Sequence, residues 1–490
     1  MSRRAGRRYH LITLGCAKNA VDSASMAQLL EGAGYEATER PGRADVLIVN
    51  TCGFIEAARQ ESLRVLRELA ARKKKGQLLI AAGCLAQRWG ARLVEEVPGI
   101  DGVIGTRRWM DILEFIEALR GRSAPEPLFH IPDEGPIRRE ERGVLRAAVQ
   151  GASAYLKIAD GCRRPCAFCA IPLIKGPAVS RPPEAIWAEA RRLVDQGVRE
   201  LILIAQDTTD YGHDLGMRDG LPTLIEGLVQ RVPEVKWIRI MYAYPGAVSD
   251  RLIEVMARYP QVAHYLDIPL QHGHPAVLRR MRRPANIEWV YRTVEKLRRA
   301  MPDIALRTTF IVGYPGETEE EFEALLRFVR DLEFDRVGCF TYSYEPETPS
   351  ARQPGHLPEE VKQERYERLM AAQQPISLRK NQALVGKTLE VLIEGVGDGL
   401  SVGRTYRDAP EIDGLVLVEG EWPVGQFLPV RITGAMTYDL IGVVVNPISS
   451  PDGSSRPPSP GPRGPRGSRP GKRAPRPLRC EVFAAVSFPH

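Results

Sequence analysis

The chain has 490 residues, and its eight cysteines, at positions 16, 52, 84, 162, 166, 169, 339 and 480, are the side chains whose chemistry is most restricted by spacing. Cys162, Cys166 and Cys169 form a C-x3-C-x2-C run. Thiols packed so tightly along the chain cannot meet disulfide geometry among themselves, yet all three can face one small centre. Thiolates hold iron–sulfur clusters, and a cubane with three protein ligands keeps one iron open for substrate, as a catalytic zinc keeps one open position. A zinc site that borrows its fourth ligand from elsewhere is the competing reading, but no further Cys or His stands at finger spacing. Cys16, Cys52 and Cys84 lie 36 and 32 residues apart. Alone they read as buried structural thiols. Beside a second triad they read as ligands of another cluster. No secretory signal is read ahead of them, so grouped cysteines point to metal before disulfides.

The elements around the cysteines must let each set converge. Short apolar runs at 10–14, 45–50, 78–82 and 102–104 alternate with helical patterns and predict an open α/β layer with a mostly parallel sheet. Cys16, Cys52 and Cys84 each follow such a run by one to three residues, which places them on loops along one edge of that sheet. A polar stretch at 123–146 reads as a linker. Six β-rich runs follow, at 155–159, 200–206, 237–242, 263–268, 306–312 and 336–344, separated by amphipathic helices. They predict a partial (β/α)6 barrel with functional residues at the C-terminal ends of its strands. Gln206, Asp207, Gln271, Arg307 and Glu317 stand where barrels place substrate contacts, although each also suits a turn or a cap. Cys339, inside the sixth run, reads as core. A helix at 359–374 leads to alternating runs across 387–445 that predict a small β-barrel. From 448 onward Pro, Arg, Ser and Gly dominate, a composition that predicts disorder and dispensability for catalysis; Cys480 lies in that tail. The divisions are therefore 1–125, 126–150, 151–378, 379–447 and 448–490.

The net charge of +7 is concentrated at the ends: four Arg lie among the first eight residues, and seven Arg and one Lys oppose a single Asp in 451–480. The intervening chain is slightly acidic, so its surface as a whole is not that of a nucleic-acid binder. Its longest uncharged apolar run, 78–86, is far short of a bilayer crossing, and a cytoplasmic protein without membrane contact is expected.

The run Tyr155-Leu-Lys-Ile-Ala-Asp-Gly-Cys162-Arg-Arg-Pro-Cys166-Ala-Phe-Cys169-Ala-Ile-Pro, followed by Lys175-Gly176 and Ser180-Arg181-Pro182, resembles the radical S-adenosylmethionine methylthiotransferases. Gly15-Cys16-Ala-Lys-Asn, Asn50-Thr-Cys52-Gly-Phe-Ile and Gly83-Cys84-Leu-Ala-Gln are similar to the N-terminal cluster domain of that family. The likeness spans residues 9 to about 446, and Ala24 departs from it where the family usually has an acid. The resemblance implies a radical-SAM core with a TRAM-like C-terminal barrel. It also implies two 4Fe–4S clusters. The one on Cys162, Cys166 and Cys169 takes the amino and carboxylate groups of S-adenosylmethionine on its free iron and yields a 5′-deoxyadenosyl radical. The auxiliary cluster on Cys16, Cys52 and Cys84 carries the sulfur to be transferred. Gln206, Asp207, Gln271 and Arg307 become candidate contacts for S-adenosylmethionine, and no catalytic acid or base is assigned. An electron donor such as flavodoxin or ferredoxin and a sulfur donor are implied partners.

One branch of the family modifies an adenosine of transfer RNA, the other an aspartate β-carbon of a small-subunit ribosomal protein. Between 387 and 446, four bases (Lys387, Arg404, Arg407 and Arg431) face nine acids. That balance repels phosphates and suits a basic protein, with Asp408, Glu411 and Asp413 expected to recruit it. Gly403-Arg-Thr-Tyr-Arg-Asp-Ala-Pro-Glu-Ile-Asp-Gly414 and Ala205-Gln-Asp-Thr-Thr-Asp-Tyr-Gly212 also resemble the ribosomal-protein branch, whose target is small-subunit protein twelve. Modification of transfer RNA, and a non-enzymatic ribosome- or RNA-binding module, are the alternatives.

Overall fold

The computed structural model describes residues 7–122, 126–132 and 143–445. The first layer is built from β1 (Arg8–Thr13), α1 (Ala17–Gly32), β2 (Glu36–Ala37), β3 (Val46–Thr51), α2 (Glu56–Arg72), β4 (Leu78–Ala82), α3 (Gly83–Trp89), α4 (Ala91–Glu96), β5 (Gly102–Gly105), α5 (Ile112–Arg120) and β6 (Leu128–His130). Its strands are all parallel, in the order β2-β1-β3-β4-β5-β6. Residues 46–49 of β3 are an unbroken apolar run because both faces of the strand are covered. Val46 and Ile48 join one apolar cluster, and Leu47 and Val49 the other.

The second layer begins with β7 (Ala147–Gln150) and β8 (Ser153–Lys157), followed by the short antiparallel pair β9 (Ala159–Asp160) and β10 (Val179–Ser180) with α6 (Ile171–Lys175) between them. The βα units continue through α7 (Pro183–Asp195), β11 (Glu200–Ile204), α8 (Gly220–Arg231), β12 (Trp237–Ile240), α9 (Asp250–Arg258) and β13 (Val262–Asp267). They end with α10 (Pro275–Arg280), α11 (Ile287–Ala300), β14 (Ala305–Val312), α12 (Glu319–Leu332) and β15 (Arg336–Thr341). The sheet order is β15-β14-β13-β12-β11-β8-β7, six parallel strands with β7 antiparallel at the edge. Leu201 and Leu203 of β11 pack outward against helices, while Ile202 and Ile204 point into the barrel with Tyr155, Met241 and Tyr265. Val21 of α1 and Ala409 of the C-terminal segment join that interior cluster, with Ala17, Ala20 and Ala24 at its margin. The neighbouring domains thus plug the barrel, and Ala24 stands at an apolar contact rather than at a polar one.

α13 (Glu359–Gln382) runs eight residues beyond its expected end and contains Pro375. It leads into a closed barrel of β16 (Thr388–Gly397), β17 (Leu400–Arg404), β18 (Val416–Glu419), β19 (Phe427–Ala435) and β20 (Leu440–Val444), ordered β16-β17-β18-β20-β19.

All six expected strands of the central domain occur. The expected linker is narrower than read, because β6 pairs with β5 and β7 with β8. These strands have three and four residues, too few to show a period in sequence. The middle of that linker, and the Pro/Arg-rich tail with Cys480, lie outside the described residues. No helix among the described residues is long and apolar enough to cross a membrane.

Candidate active site

Cys16, Cys52 and Cys84 follow β1, β3 and β4, and the glycines beside them let the three loops close together. Gly15 has φ +88°, and a Cβ there would meet the Cβ and Sγ of Cys52 at 2.7 Å. Gly83 has φ +94°, and its Cβ would meet Asn50 Oδ1 at 2.3 Å. Only glycine tolerates both the backbone and the approach. Asn19 Nδ2 donates to the carbonyls of Leu14 (2.9 Å) and Thr51 (3.0 Å), tying the first two loops, and its Oδ1 lies 3.6 Å from Cys84 Sγ. Burial pushes the Cys84 thiol up to about 11 and, with the nearby Cys84 and Cys16 charges, pushes Cys52 up as well. Cys16 is the exposed member of the three, and although desolvation by its neighbours opposes the charge, the Lys18 ammonium and the Asn19 backbone N–H lower its thiol.

The second triad is held on the loop after β9. Cys162 N–H donates to the Gly176 carbonyl (3.0 Å), Cys169 N–H to Cys166 (3.1 Å), and Ala167 N–H to Met281 (2.8 Å). Burial pushes Cys162 up to about 11 and Cys169 up to about 12. Two guanidiniums stack on Tyr244, Arg164 at 4.1 Å and Arg283 at 4.4 Å from its centroid. Arg283 Nη1 lies 3.6 Å from Cys166 Sγ, and Arg164 N–H lies 3.5 Å from Cys162 Sγ. Such donors to a thiolate are among the groups that tune a cluster. A zinc ion draws its thiolates to about 2.3 Å from one point. No three ligating side chains among the described residues form such a mononuclear site, and thiolates are equally the ligands of iron–sulfur clusters.

Cys84 packs with Ala170, the residue after Cys169, and with Ile174 of the helix that follows, so the loop of the second triad lies against a cysteine of the first. Beside this contact Asp22 and Asp160 share three cations. Arg146 Nη2 lies 2.8 Å from Asp160, and Lys175 Nζ lies 3.2 Å from each carboxylate. Lys157 Nζ pairs with Asp22 and lies 3.2 Å from Asp160. All five side chains are buried. Burial opposes the charge on Asp160, but Lys157, Lys175 and Arg146 hold its carboxyl well below the usual range. Burial likewise opposes Lys175, and the two aspartates raise it.

Lys18, on the first turn of α1, is buried with its ammonium 3.1 Å from the centroid of the Tyr242 ring. Burial brings it down to about 8 against the pull of Cys16 and Asp267, and its charge also acts on Cys169. Tyr242 (φ 60°) and Gln271 (φ 74°), just beyond β12 and β13, hold the left-handed backbone that non-glycine residues adopt at a cost, often in active sites.

The residues expected to contact S-adenosylmethionine are placed differently from one another. Gln206, after β11, keeps a buried Oε1 without a protein partner, so it fits a bound polar group. Asp207 accepts from Arg164 Nε (2.7 Å) and caps Thr209 N–H (3.0 Å). Gln271 reaches the barrel mouth through its backbone, donating to the Thr309 carbonyl at 2.8 Å. Arg307 is engaged by Asp267 (2.9 Å) and Asp413 (3.3 Å). Glu317 is buried, taking the Tyr314 N–H at 2.9 Å and facing Arg365 at 3.3 Å. Cys339 is buried in β15, in the core.

The expected acidic recruiting surface needs correction. Asp408 is buried 2.7 Å from Arg336, and the Asp413 carboxylate accepts from Tyr265 OH (2.7 Å) and faces Arg307. Both are counterions to arginines near the N-terminal ends of barrel strands. Only Glu411 of the three is exposed. Sequence reasoning missed Lys18, Tyr242, Arg283 and the five-charge group. The available signal was Lys157, a charge ending an apolar barrel strand, which predicts a buried pair.

Comparison with known proteins matches the Radical SAM superfamily over residues 156–329, the uncharacterised protein family UPF0004 over 8–105 and the TRAM domain over 385–445. The chain is 51% identical over 451 residues to the ribosomal protein uS12 methylthiotransferase RimO of Chloroflexus aurantiacus, covering 89% of this chain and 99% of the relative. It is 49% identical over 447 residues to that of Symbiobacterium thermophilum, covering 89% and 91%. Among solved structures, the radical S-adenosylmethionine methyltransferase TsrM of Kitasatospora setae aligns with a TM-score of 0.51 at 16% identity, over 70% of this chain and 75% of that one, a likeness of fold. With identity of this extent over nearly the whole of its relatives, the chain belongs to the RimO family of radical S-adenosylmethionine methylthiotransferases.

Proposed function

We propose that this protein installs a methylthio group on the β-carbon of an aspartate of ribosomal protein uS12. It does so with two 4Fe–4S clusters, one on Cys162, Cys166 and Cys169 and one on Cys16, Cys52 and Cys84. The observation that carries this reading is the packing of Cys84 against Ala170 and Ile174, which sets the loop after Cys169 against the first triad's domain. When bound, the cluster beside S-adenosylmethionine supplies the electron that splits the sulfonium and yields the hydrogen-abstracting radical. The chain's own residues shape the site. α1 closes the barrel, Gln206 offers a buried acceptor, and Arg164 and Arg283 place positive charge against the second triad. The first triad, one layer away, offers the sulfur-bearing side. Electrons, from a flavodoxin or ferredoxin, and sulfur come from partner proteins or small donors.

A ribosomal protein rather than RNA is supported by exposed acids of the C-terminal segment, Glu390, Asp398, Glu411, Glu419 and Glu421, which outnumber its exposed bases Lys387 and Arg431 and repel a phosphate backbone. The test is anaerobic reconstitution with iron and sulfide, followed by incubation with small ribosomal subunits, S-adenosylmethionine and a strong reductant. Mass spectrometry of uS12 then shows a methylthiolated aspartate. Methylthiolated adenosine in transfer RNA with unmodified aspartate in uS12 overturns the assignment.

A further inference from the structure

We infer that Lys18 grips the carboxylate of the target aspartate and thereby selects an acidic side chain at the reacting centre; this rests on the function proposed above. Lys18 stands two residues after Cys16 on the first turn of α1, and its side chain reaches Tyr242 just beyond β12 of the barrel. Its residue is 9% exposed, and its ammonium rests 3.1 Å from the Tyr242 ring centroid. No carboxylate among the described residues bonds it.

Apart from Arg283, which bonds the Pro269 carbonyl, the other cations described at the site are already engaged by carboxylates. Lys157, Lys175 and Arg146 share Asp22 and Asp160. Arg164 is held by Asp207 at 2.7 Å, and Arg307 by Asp267 and Asp413. Asp267, the carboxylate whose field reaches Lys18, is occupied by Arg307 Nη1 (2.9 Å) and the Tyr242 N–H (3.2 Å). A ring face attracts an ammonium but accepts no full set of hydrogen bonds. A buried ammonium so placed gains most from an incoming carboxylate, which adds a charge-assisted bond without displacing an existing partner.

The chemistry of the substrate fits this position. The carboxylate carbon of an aspartate is bonded directly to its β-carbon, so a grip on the carboxylate orients the β-carbon beside it, the orientation that a hydrogen transfer and a sulfur transfer both require. An asparagine at the same place offers a neutral amide, and its binding loses the charge-assisted contact. Tyr242, whose ring lies under the ammonium, holds a left-handed backbone (φ 60°).

The experiment uses the reconstituted holoenzyme and two peptides, one spanning the target aspartate of uS12 and one with asparagine in its place. Binding is measured for wild type, Lys18→Met and Lys18→Arg, with iron content and near-ultraviolet circular dichroism checking each variant. Wild type should prefer the aspartate peptide at least tenfold. Lys18→Met should bind both peptides at the asparagine level, and Lys18→Arg should recover part of the preference. A wild type without the preference, or a Lys18→Met that keeps it, overturns the inference. A Lys18→Met that keeps the preference but binds S-adenosylmethionine more weakly assigns the ammonium to the cofactor's own carboxylate instead. Wild type that modifies uS12 while Lys18→Met weakens both peptides equally sinks the Lys18 role alone. Wild type that never modifies the aspartate sinks the function with it.

Discussion

The Lys175 ammonium lies 3.2 Å from the Asp22 carboxylate, with both side chains buried. Lys175 stands six residues beyond Cys169 and Asp22 six residues beyond Cys16, so one ion pair ties the loop of one triad to the helix that follows the other. Asp22→Asn leaves Arg146, Lys157 and Lys175 with a single carboxylate, and breaking a buried pair in this way costs about 3–5 kcal/mol. In a double-mutant cycle by urea denaturation, Asp22→Asn and Lys175→Met together should cost less than the sum of the two. Strict additivity would show that the pair does not couple the domains.

Replacing Cys162, Cys166 and Cys169 together with Ala should lower anaerobically reconstituted iron from about eight to about four atoms per chain, the content of two cubanes and of one. Replacing Cys16, Cys52 and Cys84 should give the same loss. Only the first variant should lose cleavage of S-adenosylmethionine. Wild-type iron near four would mean that one triad is structural.

The buried placement of Asp408 and Asp413 changes what their substitution should do. Asp408→Asn leaves Arg336 short of its counterion, and Asp413→Asn removes one from Arg307, each costing about 3 kcal/mol. Exposed Glu411→Gln should cost no more than about 0.5 kcal/mol. Thermal unfolding distinguishes this from recruitment. A recruiting role predicts unchanged unfolding and a salt-dependent loss of uS12 binding, whereas counterions predict lower unfolding temperatures for Asp408→Asn and Asp413→Asn.

This contrast also marks how far the sequence could be read. The parallel strands were legible because each is local: Leu78–Ala82 is a continuous apolar run that a doubly covered strand needs. Asp408 reads in sequence like any solvated acid, since its partner Arg336 is 72 residues away. Asp22 and Lys175 are separated by 153 residues. Lys18 shows its meaning only once Tyr242, on another domain, is seen beneath it. Charge counting over the C-terminal segment gave the right sign of the balance but could not tell a counterion from a surface.

Glu200, at the start of β11, accepts from Arg239 Nε (2.8 Å), Arg404 Nη2 (2.7 Å) and Ser153 Oγ (2.7 Å). Burial raises its carboxyl, but Arg404 and Arg239 prevail and hold it at about 2 against an ordinary 4.5. A depressed acid stabilises the fold fully above its unfolded value and loses that contribution as pH falls toward 2, here on the order of 3 kcal/mol. The urea midpoint of the wild type should therefore drop across that window, and Glu200→Gln, already less stable at neutral pH, should drop less. Parallel acid limbs for the two proteins would show that Glu200 does not titrate there.

Gly15 gives the sharpest test of the auxiliary site because its effect is confined to one loop. At φ +88° an L side chain is strained, and an added Cβ would lie 2.7 Å from both Cβ and Sγ of Cys52. Backbone strain of this kind costs on the order of 1–3 kcal/mol, and the overlap displaces Cys52 from its place beside Cys16 and Cys84. Gly15→Ala should therefore lose iron from the first triad while the second keeps its share, so reconstituted iron falls toward half and cleavage of S-adenosylmethionine persists. Gly34, also at positive φ (+83°) but with nothing within 4 Å of an added Cβ, is the control. Gly34→Ala carries comparable strain in the same domain without touching a cysteine, and it should keep full iron. Equal iron loss in both variants would trace the defect to domain stability rather than to the cradle around Cys52.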